Sequence, residues 1–227
     1  MFDYLAAIAV DSARVADLIE RTLPESRVPS CPDWSFRELI IHLGLTQRFW
    51  ARNVRARNPA QPQPEEDPPG PDDDLAAWMR ASTGSLLEAL LDVGLEAPCW
   101  TWWGEPRTSG AVARHQVQEA AVHRWDAELA GGTPRPLATE VAVDGVAEFL
   151  QVMLGTAAAS VPGRVILVAT DTGDRWQTGG TGRATARVLG AASDLVLLLY
   201  RRVPRTDLYI EGDVALIDAL VAAADTE

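Results

Sequence analysis

Apolar side chains recur every three or four residues over the first part of the chain, which is the spacing of amphipathic helices. A first helix is predicted over about residues 2–22 from the apolar positions Leu5, Ile8, Val15 and Leu18. A second helix is predicted to begin after Ser35, because Ser35 and Glu38 have the spacing of a capping box. The segment between these helices, Pro24 to Trp34, is predicted to be a loop.

Two further helices follow a long break in the pattern. Residues 58–74 are rich in proline and acidic residues, which predicts an exposed loop, and Asp72, Asp73 and Asp74 lie where negative charge favours a helix N-terminus. A third helix is predicted to run to about Asp92. A fourth should start after Thr108 or Ser109 and stop at Gly131.

The pattern of predicted elements changes after Gly132. The segment 132–136 contains glycine and two prolines and is predicted to be a linker between domains at 1–132 and 133–227. The second domain mixes short β-rich runs with helical runs, which predicts a small α+β fold. Its predicted helices are at about 139–159, 193–201 and 214–224, and its predicted strands are at about 165–169, 184–189 and 208–210.

The amino-acid composition excludes several classes of function. The 227 residues include 32 acidic and 20 basic side chains, a net charge of −12. Such a surface repels phosphate backbones and anionic lipids, so nucleic acid and membrane surfaces are not expected partners. Every basic residue is an arginine, which excludes a lysine Schiff base or a Walker-type lysine.

The expected location is cytoplasmic. Met1-Phe2-Asp3 carries an acid where a secretory signal carries positive charge, and no apolar run approaches the roughly 20 residues that span a bilayer. Cys31 and Cys99 are too few for a disulfide framework, which favours a reducing compartment.

The three histidines are the candidate metal-binding residues of the chain. Glu119 and His123 are four residues apart on the fourth helix, so their side chains share one face and can reach one metal ion. His42, on the second helix, is the candidate third ligand, and two imidazoles with one carboxylate leave an open position on a tetrahedral zinc. His115 lies four residues before Glu119, so spacing alone also allows the pair 115/119. A histidine–glutamate pair of this spacing also occurs as a plain surface hydrogen bond.

Tryptophans concentrate in the loop between Gly94 and Gly110. Trp100, Trp102 and Trp103 either close the end of the helices or, with Trp34, line the mouth of a pocket. Aromatic side chains fill protein cores more often than they line sites, which favours the first interpretation.

Several segments together resemble the mycothiol-dependent maleylpyruvate isomerase family. The segment from Pro29 to Leu43 is similar to its opening signature, and Arg114, Glu119, His123, Arg124 and Asp126 resemble its second signature. Segments 169–176, 197–204 and 210–213 are similar to its C-terminal domain, although Tyr200-Arg201-Arg202 stands where the family more usually has Trp-Gly-Arg.

This resemblance implies a DinB-like four-helix bundle that binds zinc, followed by a smaller α+β domain. It implies His42, Glu119 and His123 as the metal ligands, with zinc or another divalent metal between them. It also implies an arginine that assists at the substrate, and Arg202 is the position that matches, with Arg201 beside it.

The expected activity is that of a zinc-dependent isomerase or S-transferase that uses mycothiol as cosubstrate. Free thiols have a pKa near 8.5, and coordination to zinc deprotonates them, so a metal-bound thiolate could attack a small electrophile. His115, if it lies off the metal, could transfer protons. The alternatives are a metal-dependent hydrolase of the same bundle and a non-catalytic ligand-binding or stress-response module.

Overall fold

Among the residues that the structure describes, the first of two structural units, Met1–Arg135, contains four helices and one short hairpin. The computed structural model describes residues 2–62, 67–70 and 73–224, so Asp72 and parts of the proline-rich segment lie outside the described residues. The elements of the unit are α1 (Tyr4–Leu18), β1 (Arg27–Val28), β2 (Cys31–Ser35), α2 (Phe36–Ala56), α3 (Leu75–Val93) and α4 (Ser109–Ala130).

Each of these helices begins at a side chain that caps it. Asp3, Ser35, Asp74 and Thr108 each accept a hydrogen bond from the backbone N–H three residues further on. The capping box is confirmed, because Glu38 also accepts from the Ser35 N–H at 2.7 Å. α1 ends at Leu18, earlier than predicted, because the N–H groups of Ile19 and Arg21 donate to carbonyls three residues back, which tightens the chain into turns in place of α-helix.

The predicted loop before α2 is instead the antiparallel β1–β2 hairpin. Its two strands are short. Two further backbone hydrogen bonds join the residues on either side of them: the Phe36 N–H donates to the Ser26 carbonyl at 2.8 Å, and the Arg37 N–H donates to the Pro24 carbonyl at 2.9 Å. The hairpin is therefore fixed to the first turn of α2.

The helices bury a continuous apolar core. α2 packs on α3, and α1 packs on α4, around the fully buried Leu39, Ile40, Leu43 and Met79. One polar network crosses this interior: the Gln47 amide donates to Ser12 at 2.8 Å and accepts from the Thr83 hydroxyl at 2.8 Å.

The second unit, Pro136–Glu227, contains a four-stranded sheet and three α-helices over its described part, 136–224. Its elements are α5 (Thr139–Gln151), β3 (Arg164–Ala169), β4 (Arg175–Gly179), β5 (Thr185–Gly190), α6 (Ala192–Leu199), β6 (Tyr209–Gly212) and α7 (Ala215–Ala223), with 3-10 turns at Gly155–Ser160 and Arg205–Asp207. The strand order is β4-β3-β5-β6, in which β3 and β5 are parallel and the outer pairs are antiparallel. The expected fold class, a helical bundle followed by a small α+β unit, is confirmed.

Two elements of the second unit differ from the prediction. The helix predicted to reach residue 159 ends at Gln151, and the chain reverses at Gly155, whose φ of 46° suits glycine. β4 was not predicted, and it pairs with β3 as the second strand of a hairpin. The two units divide between Arg135 and Pro136, inside the segment 132–136.

Within the described ranges of the chain, no helix is both long enough and apolar enough to cross a membrane.

Candidate metal centre

Three side chains with metal-binding atoms converge between α2 and α4. The Glu119 carboxylate Oε1 lies 3.0 Å from His42 Nε2 and 3.5 Å from His123 Nε2, and the ligand atoms of the three residues all lie within 4.8 Å of one another. His123 is buried, Glu119 is mostly buried, and His42 is 39% exposed. One side of the cluster is therefore open to solvent through His42.

Helix geometry explains the convergence. Glu119 and His123 are one turn apart on α4, so both side chains face the same way. His42 lies two turns into α2. Because α2 begins at the capping box of Ser35 and Glu38, the cap fixes the position of the imidazole along the helix axis.

The donor set fits a zinc ion. Tetrahedral zinc holds nitrogen and oxygen ligands at about 2.0–2.2 Å, so its ligand atoms lie about 3.3–3.6 Å apart. The 3.5 Å from Glu119 Oε1 to His123 Nε2 is of this size, and the 3.0 Å to His42 Nε2 is a direct hydrogen bond slightly shorter than it. Two neutral imidazoles and one carboxylate are also a ligand set that leaves a fourth position open.

A second carboxylate orients the imidazole of His123. Asp126 Oδ2 lies 2.9 Å from His123 Nδ1, and Asp126 is fully buried. Ser30 donates its hydroxyl to Asp126 Oδ1 at 2.6 Å, and the Cys31 thiol lies 3.8 Å from Oδ2. A carboxylate at Nδ1 fixes the tautomer whose Nε2 presents its lone pair to a metal.

Glu119 and His123 shift each other's pKa. Burial raises the pKa of the Glu119 carboxyl, but the charge of His123 and hydrogen bonds from both imidazoles outweigh it and hold the pKa well below its usual range. Burial lowers the pKa of His123, but Glu119 and Asp126 outweigh it and raise the pKa to about 9. The site therefore stabilises positive charge between its carboxylates, the condition under which a bound cation replaces a proton.

Trp34 of the hairpin covers the two imidazoles. Its ring centre lies 4.6 Å from that of His42 and 6.1 Å from that of His123. The hairpin thus contributes an apolar wall through Trp34 and an orienting hydrogen bond through Ser30.

His115 lies in a separate group of rings. Its imidazole centre is 4.9 Å from Trp103, 5.9 Å from Trp102 and 6.3 Å from Trp50. The structure thus joins Glu119 to His123 and His42, and it places His115 among indoles.

Arg202 belongs to the second unit. Its guanidinium donates to the Tyr200 carbonyl at 2.8 Å, and it lines a cavity of about 610 Å³ with Arg201 and Arg205. Arg201 has a left-handed backbone (φ 60°) and donates to the Val221 carbonyl at 2.9 Å, near the end of α7.

Of the two hairpin residues, Trp34 was already a candidate pocket residue from the sequence, whereas Ser30 was not identified. Ser30 is 96 residues from Asp126 in the chain, and no spacing rule connects them. The polar residues just after His123 were the available signal, since an acid three residues on is within reach of the imidazole on one helix face.

Comparisons with known proteins agree with this architecture. The profile described as the mycothiol maleylpyruvate isomerase N-terminal domain matches residues 5–128, and the profile of the C-terminal domain of the same family matches residues 140–219. No curated protein matches the sequence.

Two solved structures share the fold over most of the chain. One is described as the mycothiol-dependent maleylpyruvate isomerase, at 16% identity and a TM-score of 0.61, and the other as a histidine-to-alanine mutant of it, at 14% identity and a TM-score of 0.62. In each comparison 93% of this chain and 93% of the other chain are covered.

Proposed function

Because the chain belongs to the mycothiol maleylpyruvate isomerase family, we propose that it is a zinc-dependent enzyme that uses mycothiol to isomerise a small electrophile or to transfer the thiol to it. The observation that carries the proposal is the convergence of His42, Glu119 and His123 within 4.8 Å. Zinc is the first choice of metal, and another divalent cation would use the same ligands. A cytoplasmic location stays part of the proposal.

Each side chain of the centre has a task in this proposal. His42, Glu119 and His123 hold the metal, which when bound supplies a Lewis acid that lowers the pKa of a coordinating thiol. Asp126 keeps Nε2 of His123 directed at the metal position. Trp34 limits the access of water beside the two imidazoles, which favours the thiol over water as the nucleophile.

Two further residues act on the substrate in this proposal. Arg202 would pair with a carboxylate of the electrophile by bidentate hydrogen bonds. Arg202 is the position that the family resemblance matches to this role, with Arg201 beside it. His115 would exchange protons with the reacting molecule, because its ordinary pKa lies near neutrality.

Metal analysis and a thiol-dependence assay test the proposal. We expect about one zinc per chain in the wild type, loss of that metal in His42→Ala, and retention in the matched variant His115→Ala. With maleylpyruvate as the first electrophile tested, turnover should require added mycothiol.

The alternatives predict other results. A hydrolase would bind metal but act equally well without thiol, and a non-catalytic module would show no turnover with either. Either result contradicts the proposal.

A further inference from the structure

The second unit has a cavity whose charge is opposite to that of the whole protein. Its volume is about 610 Å³, and it is lined by the end of α6, the segment 201–205 and α7. Three arginines line it, Arg201, Arg202 and Arg205, together with one acid, Asp218. Because the chain carries a net charge of −12, this cavity concentrates cations on an otherwise acidic molecule. We call it the α6–α7 cavity.

The rest of the lining is apolar. Leu198 of α6 and Ile217 of α7 are buried, and Val221 is partly buried beside them. Cavities of roughly 300–1,000 Å³ that combine apolar walls with a few polar groups are typical binding sites for small organic molecules. The lining of the α6–α7 cavity therefore suits a molecule with an apolar body and a negatively charged group.

Arg201 has a backbone conformation that arginine rarely adopts. It directly follows the C-cap of α6, and its φ is 60°. Its N–H donates to the Leu198 carbonyl at 2.9 Å. The N–H of Arg202 donates to the Leu197 carbonyl at 2.7 Å, which completes a Schellman motif, in which glycine usually takes the left-handed position. An arginine is unfavourable there for the backbone, so we expect its side chain to do something that glycine cannot.

Two of the guanidinium groups retain unused donors. Arg201 donates Nε and Nη2 to the Val221 carbonyl at 3.3 and 2.9 Å, and its Nη1 has no hydrogen-bond partner among the described residues. Arg205 donates Nε to Asp218 at 2.7 Å, and in the described part of the chain neither of its Nη atoms has a partner. Guanidinium N–H groups bind the oxygens of carboxylates and phosphates especially well. The cavity thus has donors for an oxyanion beside its apolar walls.

We infer that the α6–α7 cavity binds a small organic anion, a carboxylate or phosphate ester that carries a hydrocarbon chain or ring. Arg201 and Arg205 bind the oxyanion, and the apolar residues contact the hydrocarbon. The assignment rests on these two arginines, which the proposed function does not use. It requires neither the metal nor the thiol, because every residue that lines the cavity belongs to Pro136–Glu227.

The test is a calorimetric titration of the full chain with octanoate, which should bind saturably. Octanol lacks the charge and acetate lacks the chain, so each should bind roughly tenfold more weakly or worse. Octyl phosphate identifies the head group: tighter binding than octanoate assigns a phosphate ester, and weaker binding assigns a carboxylate. The inference is wrong if octanol or acetate binds as tightly as octanoate, or if neither octyl anion binds.

Two arginine variants test the oxyanion contacts. Arg201→Gly should weaken octanoate binding about tenfold, and the fold is retained because glycine suits the left-handed backbone. Arg205→Gln should also weaken it about tenfold. Arg183→Gln, which removes an exposed arginine elsewhere in the same unit, is the matched control and should bind as the wild type does. Wild-type affinity in both cavity variants would overturn the assignment.

The acid of the cavity should act in the opposite direction. Asp218→Asn should strengthen octanoate binding about three- to fivefold, because it removes a negative charge and releases Nε of Arg205. Asp174→Asn changes the net charge equally in the exposed turn between β3 and β4 and should leave the affinity unchanged. A purely structural Arg205–Asp218 pair would make Arg205→Gln and Asp218→Asn change the affinity in the same direction, which would contradict the inference.

Metal removal separates this inference from the proposed function. His42→Ala should lose metal and turnover but bind octanoate as the wild type does, and loss of octanoate binding in this variant would show that the site does not belong to the second unit alone. Absence of octanoate and octyl phosphate binding in a protein with thiol-dependent turnover sinks only the inference. Octanoate binding without such turnover counts only against the proposed function.

Discussion

At the scale of single residues, the metal centre depends on an acid that does not touch the metal position. Asp126 is buried, lies 2.9 Å from Nδ1 of His123, and accepts a hydrogen bond from Ser30. With Nδ1 held in this way, Nε2 carries the lone pair that a metal needs. The imidazole would otherwise be able to rotate or to take the other tautomer.

Asp126→Asn should therefore weaken metal binding while leaving all three ligands in place. We expect metal affinity to fall about 10- to 100-fold, measured by competition with a chelator. Asp33→Asn, an exposed change on the same hairpin, is the control and should bind as the wild type does. Equal affinity in the Asp126 variant would show that the hydrogen bond has no influence on the ligand.

A second buried acid stabilises the bundle. Glu128 is fully buried and accepts side-chain hydrogen bonds from Arg14, Arg124 and Arg135. Burial raises the pKa of Glu128, but these bonds outweigh it and lower the pKa to about 2. Because the folded pKa lies below the ordinary value near 4.5, this stabilisation is present above about pH 4.5 and is lost as the pH falls towards 2.

Glu128→Gln should remove that pH dependence. The free energy of unfolding at pH 7 should fall by about 3 kcal/mol, and less of it should be lost between pH 4.5 and pH 2 than in the wild type. Denaturant titrations at several pH values measure both effects. Glu88→Gln is the control, because the exposed Glu88–Arg55 pair should contribute little. If the Glu128→Gln variant lost as much free energy of unfolding between pH 4.5 and pH 2 as the wild type does, this account would be contradicted.

At the scale of elements, the contact between α2 and α3 depends on one glycine. A Cβ added at Gly44 would lie 2.1 Å from an aromatic carbon of Trp78, so the indole packs where any larger residue would have its side chain. Gly84 on α3 has nothing within 4 Å of the same position. The two helix glycines therefore differ in packing and not in backbone geometry.

Alanine at these two positions should have opposite effects. Gly44→Ala should lower the free energy of unfolding by about 1–3 kcal/mol, because Trp78 must move out of a filled site. Gly84→Ala should raise it by about 0.5–1 kcal/mol, because alanine is the better helix former. Chemical denaturation measures both, and a stabilised Gly44→Ala would mean that the indole moves at no cost.

At the scale of the whole molecule, the proposed tasks are divided between the two units. The proposed metal ligands all lie in Met1–Arg135, and the proposed substrate arginine, Arg202, lies in Pro136–Glu227. Metal binding and turnover should therefore respond separately to mutation.

Arg202→Ala should retain one metal per chain but lose about 100-fold in thiol-dependent turnover, the effect of removing a charged donor from a reacting substrate. Metal analysis and a steady-state assay on the same preparation check both parts. Arg183→Ala, an exposed arginine of the same unit, should behave as the wild type does. Loss of metal together with activity would place the role of Arg202 in folding.

Much of the fold was predictable from local sequence. Hydrophobic periodicity and capping residues predicted the four long helices of the first unit. The bounds of α4 were predicted almost to the residue, because Thr108 and Gly131 delimit this helix. The β1–β2 hairpin was missed because its strands are short, contain Pro32 and depend on bonds to the start of α2. β4 was missed because a five-residue run without clear alternation gains its stability from pairing with β3.

The sequence by itself determined which residues could act as ligands, because helical spacing places Glu119 and His123 on one face whatever surrounds them. The tertiary structure decided which histidine joins them. The packing of α2 against α4 brings His42 to Glu119 and directs His115 into a cluster of tryptophans. Spacing along a helix is a local property of the backbone, whereas the contact of two helices depends on side chains far apart in the chain, and only folding brings those together.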